Sequence, residues 1–374
     1  MYSEFIDLPS PAPGMTLQLT KYTFGDVCAG RTAYFQAGLH ADEHPGLLVL
    51  QHLKQLLVQC EREGRLSGGV VIIPVANPVG LMQNVSGHVT GRYHLANGEN
   101  FNRNFADLQA VLTRDGAQTL NSNARQDCRA YITRLLGDVR PADTVSAIKH
   151  SLLSEALQHD VVIDLHCDQS AILHLYTNRC HHLRAVNLAA SLGAEVIIEE
   201  QLAGGQPFDE SVLRCWQWFA EHKGLAAEDI PFTVTVELRG QADVSDLLAA
   251  RDAEALLRFL ETEGIVAARQ TEAPDCSQVV CYPLEGVSYL QAPAEGIISW
   301  QRQPGDKVVA GDLLAEVVIL SGAEENNRLP VLSPQDGRLV TRPLISYVRQ
   351  GQNIGMLAGY QPHNDRRGGT LLSD

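Results

Sequence analysis

RTAYFQAGLHADEHPG, residues 31–46, passes from a strand pattern to a helix start within a few positions. Ala33, Phe35 and Ala37 alternate with more polar neighbours and Gly38 stops the run, which predicts a strand over residues 31–38. Pro45 suits a first helical turn. Leu47, Leu50, Leu53, Leu57 and Cys60 then recur at intervals of three or four, predicting a helix that ends near Gly64. Further runs at 70–76, 160–165, 171–177, 195–198 and 232–238 are mostly continuous and apolar, the pattern of strands covered on both faces. Helical stretches separate most of them. The alternation predicts an α/β chain with a largely parallel or mixed central sheet flanked by helices.

A chain of 374 residues, 45% of them hydrophobic, can bury one large core and a smaller one. Composition changes after Gly264. Long helical patterns give way to short β runs punctuated by Gly and Pro, with TEAPDCSQ (271–278) reading as a linker. An internal repeat follows: APAEGIISW (292–300) with AGDLLAEV (310–317) is echoed by SPQDGRLV (333–340) with QGQNIGML (350–357). Two such halves predict one small all-β barrel-sandwich. The expected organisation is therefore a main unit over 1–270, with a helical insertion at 106–158 broken near Gly137 and Pro141, a β unit over 276–362, and a frayed tail at 363–374.

The net charge of −15 would repel a phosphate backbone, so nucleic acid is not an expected partner. Apolar runs fall far short of the roughly 18 residues that span a bilayer, and no membrane partner is expected. MYSEFIDLPSPAPG lacks the basic-then-apolar pattern of a secretory signal. Eight cysteines at irregular spacings read as thiols of a reducing compartment, and the expected location is cytoplasmic.

His40 and Glu43 lie three apart on the turn between the first strand and its helix, at the edge of a sheet where open α/β folds bind ligands. VVIDLHCD (161–168) ends a second apolar strand at His166. Two histidines and one carboxylate complete a catalytic zinc set with a fourth position open to water. Each alone reads more readily as a structural residue; three on strand ends are harder to dismiss. PFTVTVELRG (231–240) carries Glu237 out of another strand, where a carboxylate near the metal could accept and return a proton. A Gly- and Asn-rich loop over residues 77–105 supplies Arg92, Asn102 and Arg103, and the guanidinium groups of the two arginines suit a carboxylate or a developing oxyanion. Cys167 would face away from the metal and reads as packing.

GLHADEHPG, ANPVG, GRY, NFNRNF, DLHCD and VTVELRG, in that order, resemble the succinylglutamate desuccinylase and aspartoacylase family of zinc amidohydrolases, relatives of zinc carboxypeptidases. The resemblance covers residues 31–264 and implies a zinc-carboxypeptidase-like fold. It further implies one zinc per chain on His40, Glu43 and His166, and Glu237 as general base and acid. By the same resemblance Arg92 polarises the scissile carbonyl, and Asn102 with Arg103 holds the carboxylate of the amino-acid half. The substrate implied is a small N-acyl amino acid or N-acylated amine. A zinc carboxypeptidase acting on peptides and an inactive ligand-binding homologue are the alternatives, and a homo-oligomer is left open. Three departures stand out. No arginine precedes Glu237 in GLAAEDIPFTVTV, although Arg239 follows it. Asn100 replaces the Asp that in related carboxypeptidases orients a ligand histidine, and the loop from Arg92 to Arg103 is longer than in aspartoacylases. The C-terminal repeat resembles the biotinyl/lipoyl carrier fold, yet SGAEENNR (321–328) has no lysine to carry a group. Glu324 and Glu325 would keep that tip solvated, and the unit is expected to serve as a non-covalent lid or dimerisation element beside the mouth of the site.

Overall fold

The computed structural model describes residues 1–269, 274–321 and 327–362. The tip bearing Glu324 and Glu325 and the tail 363–374 lie outside them. The chain opens with a hairpin, β1 (Tyr2–Leu8) and β2 (Leu17–Gly25), then runs through β3 (Thr32–Ala37), α1 (Pro45–Arg62) and β4 (Gly69–Ile73). The Gly/Asn-rich loop holds a single turn, α2 (Pro78–Leu81), and a two-residue ladder, β5 (Asn84–Val85) with β6 (His88–Val89). Three helices follow, α3 (Leu108–Asp115), α4 (Arg125–Gly137) and α5 (Thr144–Ala156). Next come β7 (Val161–Asp168), β8 (Ser170–Ala171), β9 (His174–Asn178), α6 (His182–Leu192), β10 (Val196–Glu200) and α7 (Phe208–Lys223). β11 (Phe232–Gly240), α8 (Asp246–Thr262) and β12 (Val280–Pro283) complete this part.

Among the described residues, nine strands make one sheet in the order β1-β2-β4-β3-β7-β11-β9-β10-β12. The run β4-β3-β7-β11 is parallel throughout, whereas β1, β2 and β9 bring antiparallel pairings. Helices cover both faces. Leu50, Leu53 and Leu57 of α1 pack with Leu188 of α6 and Leu256 and Phe259 of α8 on one side. On the other, Leu112, Ile132 and Leu152 meet Trp216 and Phe219 of α7. The segment 106–158 thus forms half of a helical layer over the sheet. Glycine lets α1 approach closely: a Cβ on Gly46 would come 2.9 Å from Leu165 Cβ and 3.0 Å from Ala37 Cβ.

β12 follows the composition break yet is the last strand of the large sheet, parallel to β10. Beyond it lie β13 (Ser288–Gln291), β14 (Gly296–Trp300), β15 (Lys307–Val308), β16 (Leu313–Val318), β17 (Arg328–Leu332), β18 (Gly337–Arg342), β19 (Tyr347–Val348) and β20 (Asn353–Gly359). The repeat explains their pairing. β15 of the first half joins β18 of the second, and β19 of the second joins β14 of the first, so each half lends a short strand to the other. Leu290, Ile298, Val317 and Leu357 share the resulting core. This unit is joined to the large sheet by more than its linker: β18 pairs with β8, and Tyr282, Val340 and Met356 pack with Val196 and Ile198. No helix among the described residues is long and apolar enough to cross a membrane.

Candidate active site

Four neighbouring parallel strands point their carboxyl ends at one place. β3 leads into His40 and Glu43, and β4 into the loop with Arg92, Asn100, Asn102 and Arg103. β7 carries His166, and β11 carries Glu237. A sheet edge of this kind leaves side chains convergent and the backbone already paired, the usual place for a ligand in an open α/β sheet.

The two oxygens of Glu43 divide between the histidines: Oε1 lies 3.0 Å from His40 Nδ1 and Oε2 lies 2.8 Å from His166 Nδ1. Oε2 also accepts the backbone N–H of Cys167 at 3.0 Å. The far nitrogens are held from behind, His40 Nε2 by Asn100 Oδ1 at 2.9 Å and His166 Nε2 by Asp164 Oδ2 at 2.9 Å. Those acceptors favour a proton on each Nε2, which leaves both Nδ1 atoms to face inward as donors for a cation. All three side chains are buried, and their ligand atoms lie within 4.8 Å of one another. Cys167 turns into the apolar core on the opposite face, as the strand alternation requires.

Electrostatics show how unbalanced the cluster is without a cation. Burial disfavours the charge on Glu43, but His40 and His166 together hold its carboxyl far below the usual range. Burial likewise opposes charge on His166, yet Asp164 and Glu43 on its two sides raise its pKa well above the ordinary value. Burial and the Arg92 charge lower that of His40. Two imidazole nitrogens and a carboxylate, dry, convergent and oriented from behind, fit a zinc-type ion.

Glu237 stands in register with His166 across β7 and β11. Its Oε2 is buried without a hydrogen-bond partner. Burial, then the charge of Glu43, push its pKa up to about 8, against the pull of His166 and Arg92; a cation beside it would draw the value down. Arg92 reaches in from the loop, donating from Nη1 to Glu43 Oε1 at 3.2 Å. Gly91 makes that approach feasible, because its carbonyl accepts from Ala41 N–H at 3.0 Å and a Cβ there would fall 2.5 Å from Asp42 N.

The Asn102–Arg103 pair is placed by contacts that the sequence does not display. Asn102 Oδ1 accepts the N–H of Phe208 at the start of α7, at 2.9 Å. Arg103 Nη1 donates to Asn102 O at 2.7 Å, and its stem lies against Gly205. Lys149 of α5, buried, donates to Arg103 O at 2.8 Å and to Glu99 at 2.5 Å, so the helices of 106–158 brace this loop. Behind the site lie Glu200, Asp209 and Glu210, all buried. Burial first, then Asp209 and Glu210, raise Glu200 well above the carboxylate range, with Arg103 opposing.

Asp164, Lys149 and these acids were not singled out by motif. Asp164 had a visible signal, since it sits two residues before His166 and so on the same strand face. Arg239 does not enter the site: it takes a positive φ of 65° and pairs with buried Asp252 of α8. The rim is shared with the C-terminal unit, where Leu344 N–H donates to Gln169 Oε1 at 3.2 Å, and Gln241 Nε2 donates to Asp42 Oδ2 at 3.1 Å.

Fold and site define an α/β protein with a preformed His/Glu/His cradle at the carboxyl ends of parallel strands. The chain belongs to the succinylglutamate desuccinylase/aspartoacylase family, whose catalytic-domain pattern matches residues 29–262, a family of amide-bond deacylases. It is 25% identical over 341 residues to the N-alpha-acetyl-L-2,4-diaminobutyric acid deacetylase of Halomonas elongata, covering 88% of this chain and 82% of that one. Among solved structures, a family member from Shewanella amazonensis superposes with a TM-score of 0.83 at 24% identity over 96% of this chain and 98% of its own. The product-bound ectoine utilization protein EutE (DoeB) of Ruegeria pomeroyi gives 0.67 at 16% identity over 96% and 95%. These two likenesses speak for the fold.

Proposed function

We propose that this protein is a zinc-dependent deacylase that hydrolyses the amide bond of a small N-acyl amino acid or N-acylated amine. The observation that carries the proposal is the cradle itself, with both Nδ1 atoms turned onto Glu43 and an unpartnered buried carboxylate, Glu237, in register beside it. His40, Glu43 and His166 would hold one zinc ion, which supplies Lewis acidity toward the amide carbonyl and toward water. Glu237 takes the proton from the attacking water at its unpartnered Oε2 and returns it to the leaving amine. Burial suits this exchange, because a carboxyl whose pKa is raised gives its proton up readily only to a basic nitrogen. Arg92, close to the same centre and half exposed, donates to the carbonyl oxygen as charge builds there. Asn102 and Arg103 meet the carboxylate of the amino-acid half, held in place by α7 and Lys149.

The deacetylase from Halomonas elongata supports acetyl as the acyl group and an amine-bearing amino acid as the other half. The C-terminal unit borders the rim through Leu344, in keeping with a role in limiting substrate size. A hydrolysis screen with zinc-loaded protein tests the reading, using N-acetyl, N-succinyl and N-formyl amino acids, N-acetylated diamino acids and short peptides. Release of amine from a small N-acyl substrate is the expected result. Cleavage of peptides alone would replace the reading with a carboxypeptidase.

A further inference from the structure

Outside the active site, a second set of metal-ligating side chains converges at the far edge of the large sheet. One ring nitrogen of His182, a carboxylate oxygen of Glu199 and Cys281 Sγ lie within 4.8 Å of one another. Three separate segments bring them there. Glu199 lies on β10 and Cys281 on the adjoining parallel strand β12, where Cys281 is the register partner of Ile197. Residues two apart on a strand share a face, so Glu199 and Cys281 point the same way. His182 opens α6, which packs over that face.

Hydrogen bonding within the set is what a cation would replace. Glu199 Oε1 takes a 2.5 Å hydrogen bond from His182 Nδ1, and the Cys281 thiol bonds to the same side chain. Among the described residues, no Lys or Arg pairs with Glu199. The carboxylate therefore gathers two hydrogen bonds from side chains that are themselves metal ligands, and one divalent ion in their place would satisfy all three groups at once.

We propose that His182, Glu199 and Cys281 form a second, non-catalytic binding site for a zinc-type divalent cation. Nitrogen, oxygen and sulfur donors together suit a borderline-soft ion of zinc or cobalt type, and a thiol with an imidazole excludes calcium and magnesium, which take oxygen ligands. Binding displaces two protons from the set: the Cys281 S–H bond breaks as the S–metal bond forms and its proton leaves to solvent, and the His182 imidazole takes the tautomer with its proton on Nε2, which frees the Nδ1 lone pair for the metal. Burial and the Glu199 charge push that thiol up to about 12, so the proton is present until the metal arrives. Half of the His182 side chain is exposed, which gives an ion direct access and leaves a fourth position to water. The ion would tie β10, β12 and α6 together where the chain leaves the large sheet for the C-terminal unit. No local spacing announces such a site, because the ligands come from distant parts of the chain.

Cobalt(II) tests it in the full-length protein loaded with a single equivalent of zinc, which the three-ligand cradle takes first. The expected result is one further equivalent bound, with a near-ultraviolet sulfur-to-cobalt charge-transfer band. The active site cannot supply that band, since Cys167 faces the core. Cys281→Ser should abolish both the band and the extra equivalent while leaving hydrolysis unchanged. His182→Ala, at an exposed position that folding tolerates, should shift saturation to higher cobalt. Cys276→Ser, a control at a nearby thiol outside the set, should behave as the unsubstituted protein. Absence of a saturable band, or its survival in Cys281→Ser, would overturn the proposal.

Discussion

Asp164→Asn isolates how the protein tunes its cradle from behind. Asp164 is 1% exposed, and its Oδ2 holds His166 Nε2 at 2.9 Å. The amide keeps the shape and an acceptor oxygen but removes the negative charge that makes the imidazole a stronger donor to a metal. Loss of such a supporting group costs roughly 10- to 100-fold in metal affinity, or about 1.4–2.7 kcal/mol. The lower end is expected here for two structural reasons. His40 already rests on an amide, Asn100, in the same geometry, so an amide is an adequate acceptor. Buried Asp209 is also raised by the charge of Asp164, and the substitution relieves that repulsion. The mirror substitution, Asn100→Asp, should tighten binding by a similar factor. Competition against a chromogenic chelator at fixed pH reads both, with circular dichroism as the check on folding. Folded Asp164→Asn protein binding zinc within about twofold of the unsubstituted protein would refute the reasoning.

Glu237→Gln is nearly isosteric and should retain zinc and fold while losing turnover by roughly 100-fold or more, as expected for a general acid–base group; near-normal kcat would move the base elsewhere. Arg103→Ala should raise KM for substrates with a free α-carboxylate far more than for the matching carboxamides, and equal losses on both would detach Arg103 from the carboxylate. Asp209, buried first and then crowded by other acids, has its pKa raised from 3.8 to about 6. The folded state therefore holds a proton that the unfolded chain releases, and stability falls as pH rises through that window. Asp209→Asn should accordingly gain more melting temperature relative to the unsubstituted protein at pH 7.5 than at pH 4.5, and a pH-independent difference would count against the assignment.

How far the sequence carries is best judged from particular residues. His40, Glu43, His166 and Glu237 were legible because strand ends announce themselves, and a side chain leaving an apolar run has few places to point. The helix from Pro45 was legible through its stripe of leucines. The N-terminal hairpin was not: Tyr2 and Phe5 are each 64% exposed, on opposite faces of an edge strand with no apolar alternation to mark it. β12 was assigned by composition to the wrong side of a boundary that only its pairing with β10 reveals. Arg239 follows Glu237 closely in sequence, but its direction depends on a left-handed backbone and on Asp252, neither of which has a local signature. Lys149 belongs to a helix that composition treats as an insertion, and its bond to Arg103 O exists only once that helix has docked.

The central claim is that hydrolysis depends on zinc held by His40, Glu43 and His166, and the rate of amide hydrolysis against zinc added to chelator-stripped protein tests it most directly. No turnover is expected without metal, and full recovery is expected as that cradle fills, in the unsubstituted protein and in Cys281→Ser alike. His166→Ala should show no recovery. Full-rate hydrolysis by metal-free protein, or recovery by zinc in His166→Ala, would contradict it.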